Sequence, residues 1–246
     1  LTASVPSQPT GDARAYIKSF YESDSMGWSR ARATLRLTVY PKSGRPRLRG
    51  LSIHGASIDG RTHTLVRFTE PVELAGTAML VRQETDQTTT QLMYQPAYDK
   101  VRPVATTSRQ ERFMGTDFSY ADFEARRLDD GQYKFLADRA CGKAKCKVVE
   151  ATPKPGSNPT YGRVVFEVHP KAKVPLRTRF FGLDGRTEVK TLTVNKLKKH
   201  QGRWVVFKAT MKDLVAGSKT KLEILAIDFE HPSTPADFST DALRNP

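Results

Sequence analysis

Side chains able to do chemistry are few and scattered in this chain. The five histidines, His54, His63, His169, His200 and His231, form no His-x-His, His-x-x-x-His or His-Glu-x-x-His pattern. Those spacings are what put two imidazoles on one face of a strand or helix toward a metal. His54 and His63 flank Asp59-Gly60 and could meet across a hairpin. Two ligands fall short of the three or four that a zinc site takes, so a surface contact is expected there and no metal. The chain has no G-x-S-x-G elbow, no G-x-x-x-x-G-K-[ST] loop and no G-x-G-x-x-G fingerprint. Serine-nucleophile and nucleotide-phosphate chemistry thus lack their usual platforms. Asp117, Asp122 and Glu124 are close enough in sequence to be imagined as an acid and base pair. Asp117 and Asp122 read more simply as caps at a helix N-terminus. No catalytic residue and no cofactor are expected, and the chain is not read as an enzyme.

Two cysteines remain, Cys141 and Cys146, in a polar stretch with Lys143, Lys145 and Lys147. They could close a small loop as a disulfide, stay as two free thiols, or form half of a metal site. No His or further Cys lies nearby, which disfavours the metal. A disulfide is expected, and with it an oxidising compartment. The chain opens on Leu1, with neither a basic n-region nor an apolar h-region. A processed, exported form is therefore the expectation.

The 40 basic and 26 acidic side chains give a net charge of +14. Most of the excess is in residues 124–246, with 24 basic against 14 acidic, compared with 16 against 12 in residues 1–123. Such a balance favours anionic partners or simply a solvated surface. Sheet-based nucleic-acid binders add exposed aromatic rings for base stacking. Here the face carrying Arg30, Arg32 and Arg36 holds Thr34 and Thr38 instead, so nucleic acid is not expected and an anionic membrane surface is preferred. The 38% apolar content excludes wholesale disorder, and the longest apolar runs, such as Ala78–Val81 and Ile224–Ile227, are strand-sized.

These residues must be positioned by sheets. A helix is predicted over 11–23, where Ala13, Tyr16, Ile17, Phe20 and Tyr21 form one apolar stripe. Thr10 or Asp12 could cap it, and Gly27 lies beyond its end. From Arg30 the period becomes two: Ala31, Ala33, Leu35, Leu37 and Val39 alternate with Arg30, Arg32, Thr34, Arg36 and Thr38. Further strands are predicted at 46–54, 62–70, 77–84, 89–95, 99–106, 144–152, 161–168, 175–183, 187–195, 203–212 and 220–228. Asp59-Gly60 and Asp184-Gly185 are the strongest hairpin signals, because a type I′ turn needs two residues that tolerate positive φ. No βαβ rhythm appears, so an antiparallel meander in one domain spanning 1–246 is expected. The segment 113–124 interrupts it: Phe113, Met114, Phe118, Tyr120 and Phe123 crowd around a Ser119/Asp122 capping-box pattern. It reads as a plug for one end of the sheet or as a lid over an apolar cavity, with Gly115 as a hinge. The tail, 232–246, reads as extended and loosely held.

The run Arg112-Phe113-Met114-Gly115-Thr116-Asp117-Phe118-Ser119-Tyr120-Ala121-Asp122-Phe123 resembles the periplasmic outer-membrane lipoprotein-sorting family, the LolA-like proteins. It is most similar to the branch found with inner-membrane exporters of the RND/MMPL type. Collinear segments extend the resemblance: Leu65–Pro71, Gly76–Leu80, Leu92–Ala97 with Val101–Val104, Leu176–Phe181, Asp184-Gly185 and Lys190–Val194. The resemblance implies a mainly β fold, a strongly curved antiparallel half-barrel with helices covering the concave face. It implies a periplasmic monomer that holds a lipid or lipoprotein acyl chain in an apolar hollow and works with an RND/MMPL-type exporter. Cavity and lid candidates on this reading are Leu35, Leu37, Val39, Phe68, Met79, Leu92, Tyr94, Phe113, Met114, Phe118, Tyr120 and Phe123. The rival reading is a non-carrying subunit that docks on a membrane protein or anionic lipid through its basic face.

Overall fold

The computed structural model describes residues 11–22, 30–85, 88–124, 128–142, 144–157 and 159–244. The alternative cap Thr10, Gly27 beyond the helix end, the last helical position Ser23 and the terminal Asn245-Pro246 lie outside these residues. Helix α1 runs Ala13–Glu22. Asp12 caps it, its Oδ1 accepting from the N–H groups of Arg14 at 2.8 Å and Ala15 at 3.1 Å.

Thirteen strands form one antiparallel sheet: β1 (Arg30–Tyr40), β2 (Arg47–Ile58), β3 (Arg61–Glu70), β4 (Ala78–Gln83), β5 (Thr89–Gln95), β6 (Lys100–Pro103), β7 (Gly131–Cys141), β8 (Ala144–Pro153), β9 (Arg163–Val168), β10 (Pro175–Phe181), β11 (Glu188–His200), β12 (Arg203–Asp213) and β13 (Ser218–Asp228). Their order is β6-β5-β4-β3-β2-β1-β13-β12-β11-β10-β9-β8-β7. The chain starts mid-sheet at β1 and winds outward to the β6 edge. Residues 104–130 then carry it to the opposite edge, β7, from which it winds back until β13 pairs with β1. The edges β6 and β7 do not pair, so the curved sheet stays open rather than closing into a barrel.

Alternation along β1 is as the sequence predicts, with Ala31, Ala33, Leu35, Leu37 and Val39 buried and the arginines exposed. Two inner-face cores follow from it. One gathers Leu35, Leu37, Leu51, Val66, Phe68 and Met79. The other gathers Val149, Phe166, Phe180 and Met211 under Ile17 and Phe20 of α1. Asp59 and Gly60 have φ of 50° and 75°, the expected tight turn between β2 and β3. Asp184-Gly185 differs: only Gly185 is left-handed, at 64°, and Asp184 instead accepts from the N–H groups of Arg186 and Thr187 in a wider loop. The other hairpin turn with two consecutive positive φ values is Gln201-Gly202, at 47° and 78°.

Strand β7 is absent from the sequence reading. It is an edge strand, its alternation of Tyr133 and Phe135 is broken by a register shift between Leu136 and Arg139, and Lys134 and Arg139 stand among its exposed positions. Charge and irregularity are how edge strands avoid further pairing, and they also erase the period-two signal. The Cys141–Cys146 disulfide is formed, with Cα atoms 5.8 Å apart, and it staples the β7–β8 hairpin at this edge.

The tail is not extended. Residues Pro235–Phe238 form a 3₁₀ turn and Thr240–Arg244 the short helix α2. Thr234 and Asp237 make a capping box, the Thr234 N–H donating to Asp237 Oδ2 at 2.6 Å. Phe238 and Leu243 are buried against the outer face with Ala56, Leu80 and Tyr94. Arg67 donates to the carbonyls of Ala242 at 2.6 Å and Leu243 at 3.2 Å.

Candidate functional site

The segment that links the two sheet edges crosses the inner face, and its aromatic side chains fill the hollow. A bridge between Arg112 and Ser119 closes a tight loop, and Phe113 N–H donates to Phe118 O at 2.7 Å. The loop turns at Met114 and Gly115, with φ of 47° and 73°. A Cβ on Gly115 would meet nothing within 4 Å, so it is this left-handed conformation that calls for glycine. The Ser119/Asp122 capping box is present, but it starts a single 3₁₀ turn, Tyr120–Phe123.

Asp117 does not cap a helix. It is fully buried, and its carboxylate accepts from Arg112, from Ser218 Oγ and from Thr220 Oγ1 at 2.6 Å. Its own N–H donates to Thr220 Oγ1 at 2.9 Å. A buried carboxylate needs such partners, and here they tie the segment to β13. On the other flank Gln91 Nε2 of β5 donates to Tyr120 O at 3.0 Å. Gly115 is thus a turn inside a loop anchored on both sides.

Around this anchor Phe113, completely buried, meets Phe68 at 5.4 Å, Phe123 at 4.6 Å and Tyr120 at 5.5 Å between ring centroids. Burial, reinforced by Glu111, pushes the Tyr120 phenol up. Phe118 packs into the second core while Phe113 sits in the first, so the segment joins both. Beneath it remains an apolar void of about 40 Å³, near the size of one water and far below the roughly 300–1,000 Å³ of small-molecule pockets. On its other side an open cleft of about 300 Å³ faces β7–β9, lined by Tyr21, Tyr133 and Tyr161 and by Arg109 and Glu124, which pair at 2.9 Å.

The structure brings together Leu35, Leu37, Phe113, Phe118 and Phe123 around the void. Phe68 and Met79 lie in the same core, with Met114 and Tyr120 packed at its margin. Val39, also buried, follows Leu37 on this face of β1. Leu92 and Tyr94 do not join them. The pleat turns both to the outer face, toward Phe238 and Leu243, and the inner-face residue of β5 is Met93, paired with Met79. Sequence reasoning missed Leu51, Ile53, Val66 and Leu222, which complete the void wall. The same alternation, carried across the strands, would have found them. It also missed the hydroxyl partners of Asp117, Ser218 and Thr220, which lie about a hundred positions away and carry no local signal. His54 and His63 do not face each other but flank the Phe238 ring, at 4.8 and 5.8 Å. Among the described residues no three His, Cys, Asp or Glu side chains cluster as metal ligands.

Comparison with solved structures places this architecture. A domain named for outer membrane lipoprotein sorting, from Vibrio parahaemolyticus, superposes with a TM-score of 0.86 at 22% identity, covering 95% of this chain and 98% of its own. A DUF1329 family protein from Desulfovibrio piger gives 0.86 at 22% identity, covering 95% and 100%. A LolA superfamily protein from Nitrosomonas europaea gives 0.73 at 17% identity over 95% and 100%. The fold is therefore the open, curved sheet of LolA-like proteins. No curated protein matches the chain significantly. A family model described as uncharacterized protein, of the DUF1329-like type, matches residues 60–245. With more than half of its length so matched, the chain belongs to the DUF1329 family.

Proposed function

We propose that this protein is a periplasmic carrier that holds a lipid or lipoprotein acyl chain in the space now filled by the segment 113–123, and that it works as a monomer with an RND/MMPL-type exporter. One observation carries the reading: the apolar inner face is covered by the crossing segment and helix α1 rather than by a second sheet. Three phenylalanines of that segment line the remaining void. Displacing Phe113, Phe118 and Phe123 into water costs roughly 5–9 kcal/mol, at about 1.5–3 kcal/mol per side chain. An acyl chain of a dozen methylenes returns roughly 10 kcal/mol at about 0.8 each. The two quantities nearly cancel, which is the condition for a carrier that must both load and release without a cofactor or energy source of its own. No catalytic group is needed for such a cycle, and none is assigned.

A second reading is favoured by the size of the void: about 40 Å³ leaves no room for cargo while the segment stays in place. On that reading the protein is an interaction subunit with a permanently filled core. Native mass spectrometry of protein gently purified from its own periplasm separates the two. A lipid-sized mass that leaves on delipidation supports the carrier. Bare protein that also fails to take up a fluorescent fatty acid refutes it in favour of the subunit.

A further inference from the structure

In this meander alternate turns fall at the same end of the sheet. The β1–β2, β3–β4, β5–β6, β10–β11 and β12–β13 turns share one rim. The opposite end carries the polar turns Asp59-Gly60 and Gln201-Gly202. Large apolar side chains left in solvent are divided just as unevenly. Val72 at 84% exposure, Val215 at 78%, Leu183 and Tyr98 at 66%, and Leu214 all sit on turns of that one rim, with Leu48 beside them at the start of β2. Among the described residues, Leu225, on the body of β13, is the exception.

The central arc of the rim adds charge. Along the sheet the β1–β2, β12–β13 and β10–β11 turns are successive neighbours. They present Leu214, Val215 and Leu183 among the exposed Lys42, Arg45, Arg47, Arg186 and Lys212. Gly217 lies so close to the Lys42 stem that an added Cβ would stand 3.3 Å from it, so the first two turns touch. The turns of this arc also hold Asp184, which accepts from the N–H groups of Arg186 and Thr187, and Asp213, which accepts from those of Val215 and Ala216, but the five basic side chains outnumber them. Glu70 and Glu73 lie further along, beside Val72.

We infer that this arc docks on the surface of an anionic lipid bilayer, with Leu183, Leu214 and Val215 entering the headgroup and acyl boundary and the lysines and arginines lying against lipid phosphates. Small aliphatic tips on two neighbouring turns, ringed by long basic side chains that can snorkel, suit a deformable interface. A protein partner of this size would instead select a contiguous, aromatic-rich patch. The inference goes beyond the carrier reading and stands without it, although the arc adjoins the anchor: Ser218, bonded to Asp117 and Arg112, begins β13 immediately after the Leu214–Gly217 turn.

Flotation with protein-free vesicles of phosphatidylcholine containing phosphatidylglycerol tests it directly. Wild-type protein is expected to float, with binding weakened in high salt. The combined variant Leu183→Ser, Leu214→Ser and Val215→Ser, all exposed positions, is expected to keep its melting temperature and lose about tenfold in partitioning per tip. In Val215→Trp, tryptophan emission should shift to the blue on adding these vesicles. Wild type that stays unbound at low salt, or a triple variant that floats as well as wild type, overturns the inference. So does binding only to vesicles that contain membrane proteins, which assigns the rim to a protein partner. The triple variant leaves the hollow untouched, so its loss of flotation reports on the rim whether or not the hollow accepts an acyl chain.

Discussion

Asp117→Asn separates a plug from a gate, because the two roles give the binding assay opposite outcomes. The substitution keeps the shape of a fully buried side chain and removes the charge that Arg112, Ser218 and Thr220 surround. Hydrogen bonds to charged groups contribute about 1.5–3 kcal/mol, and breaking a fully buried pair costs about 3–5. Arg112 keeps 39% of its side chain in solvent, so the lower end applies, about 2–3 kcal/mol. At this chain length that lowers the melting temperature by roughly 5–10 °C. The loss falls on the closed arrangement alone. If an open arrangement binds the acyl chain, its population relative to the closed one rises about 30–140-fold, and apparent affinity for a fatty-acid probe tightens by up to that factor. Thermal melting and probe titration on the same preparation measure both. A lower melting temperature with unchanged or weaker probe binding refutes gating, because the closed segment then does not compete with cargo. An unchanged melting temperature refutes the anchor itself.

Phe113→Ala should cost about 3–5 kcal/mol in denaturant unfolding, as a fully buried ring at the junction of three aromatic contacts. Phe118→Ala and Phe123→Ala, half-buried, should cost less and, because these rings compete with cargo for the hollow, tighten probe binding in the folded protein. Replacing Cys141 and Cys146 by Ser should cost about 2 kcal/mol at most, since the bridge closes a short loop at a sheet edge; hydrogen exchange should rise in β7 and β8 only. Burial holds His54 and His63 below the ordinary imidazole range, partly opposed by Asp237 and Glu84 respectively. With the folded pKa depressed, the undocked tail binds more protons. Its docking is therefore complete above about pH 6.5 and weakens as pH falls below that value. Exchange protection of 235–244 should drop between pH 7.5 and pH 5, and equal protection at both would refute this.

Much of the sheet is legible because half-burial writes a period of two into the chain. Arg30–Tyr40 shows it without a break, and the structure follows it residue by residue. Where the period fails, the reading fails for a physical reason. β7 is an edge whose register shifts mid-strand. The tail carries only two buried apolar anchors, Phe238 and Leu243, too few to show a pattern before the surface that receives them is known. In the segment 113–123 the capping box was readable, since it is local, whereas the role of Asp117 was not, since its hydroxyl partners come from β13. Leu92 and Tyr94 were assigned by the resemblance against the pleat; alternation outward from Met79 and Met93 would have put them on the outer face.

The rim illustrates a signal that is present in the sequence yet invisible to a linear reading. Val72, Leu183 and the Leu214-Val215 pair are each a small exposed apolar feature of one turn, which taken singly is ordinary on any surface. They become one feature only through the parity of an antiparallel meander, in which turns of the same parity gather at one end. The crossing from β6 to β7 sets how the second half of the sheet inherits that parity. Because the crossing passes over the inner face and β13 returns to pair with β1, the β12–β13 turn comes to rest beside the β1–β2 turn and the Lys42 side chain. The segment that fills the hollow therefore also determines which turns form the rim. Its anchor on Ser218 and Thr220 lies within a few residues of Leu214 and Val215. On the inferred docking, the membrane-facing Leu214 and Val215 and the hydroxyls that hold Asp117 belong to one short stretch of chain, residues 214–220.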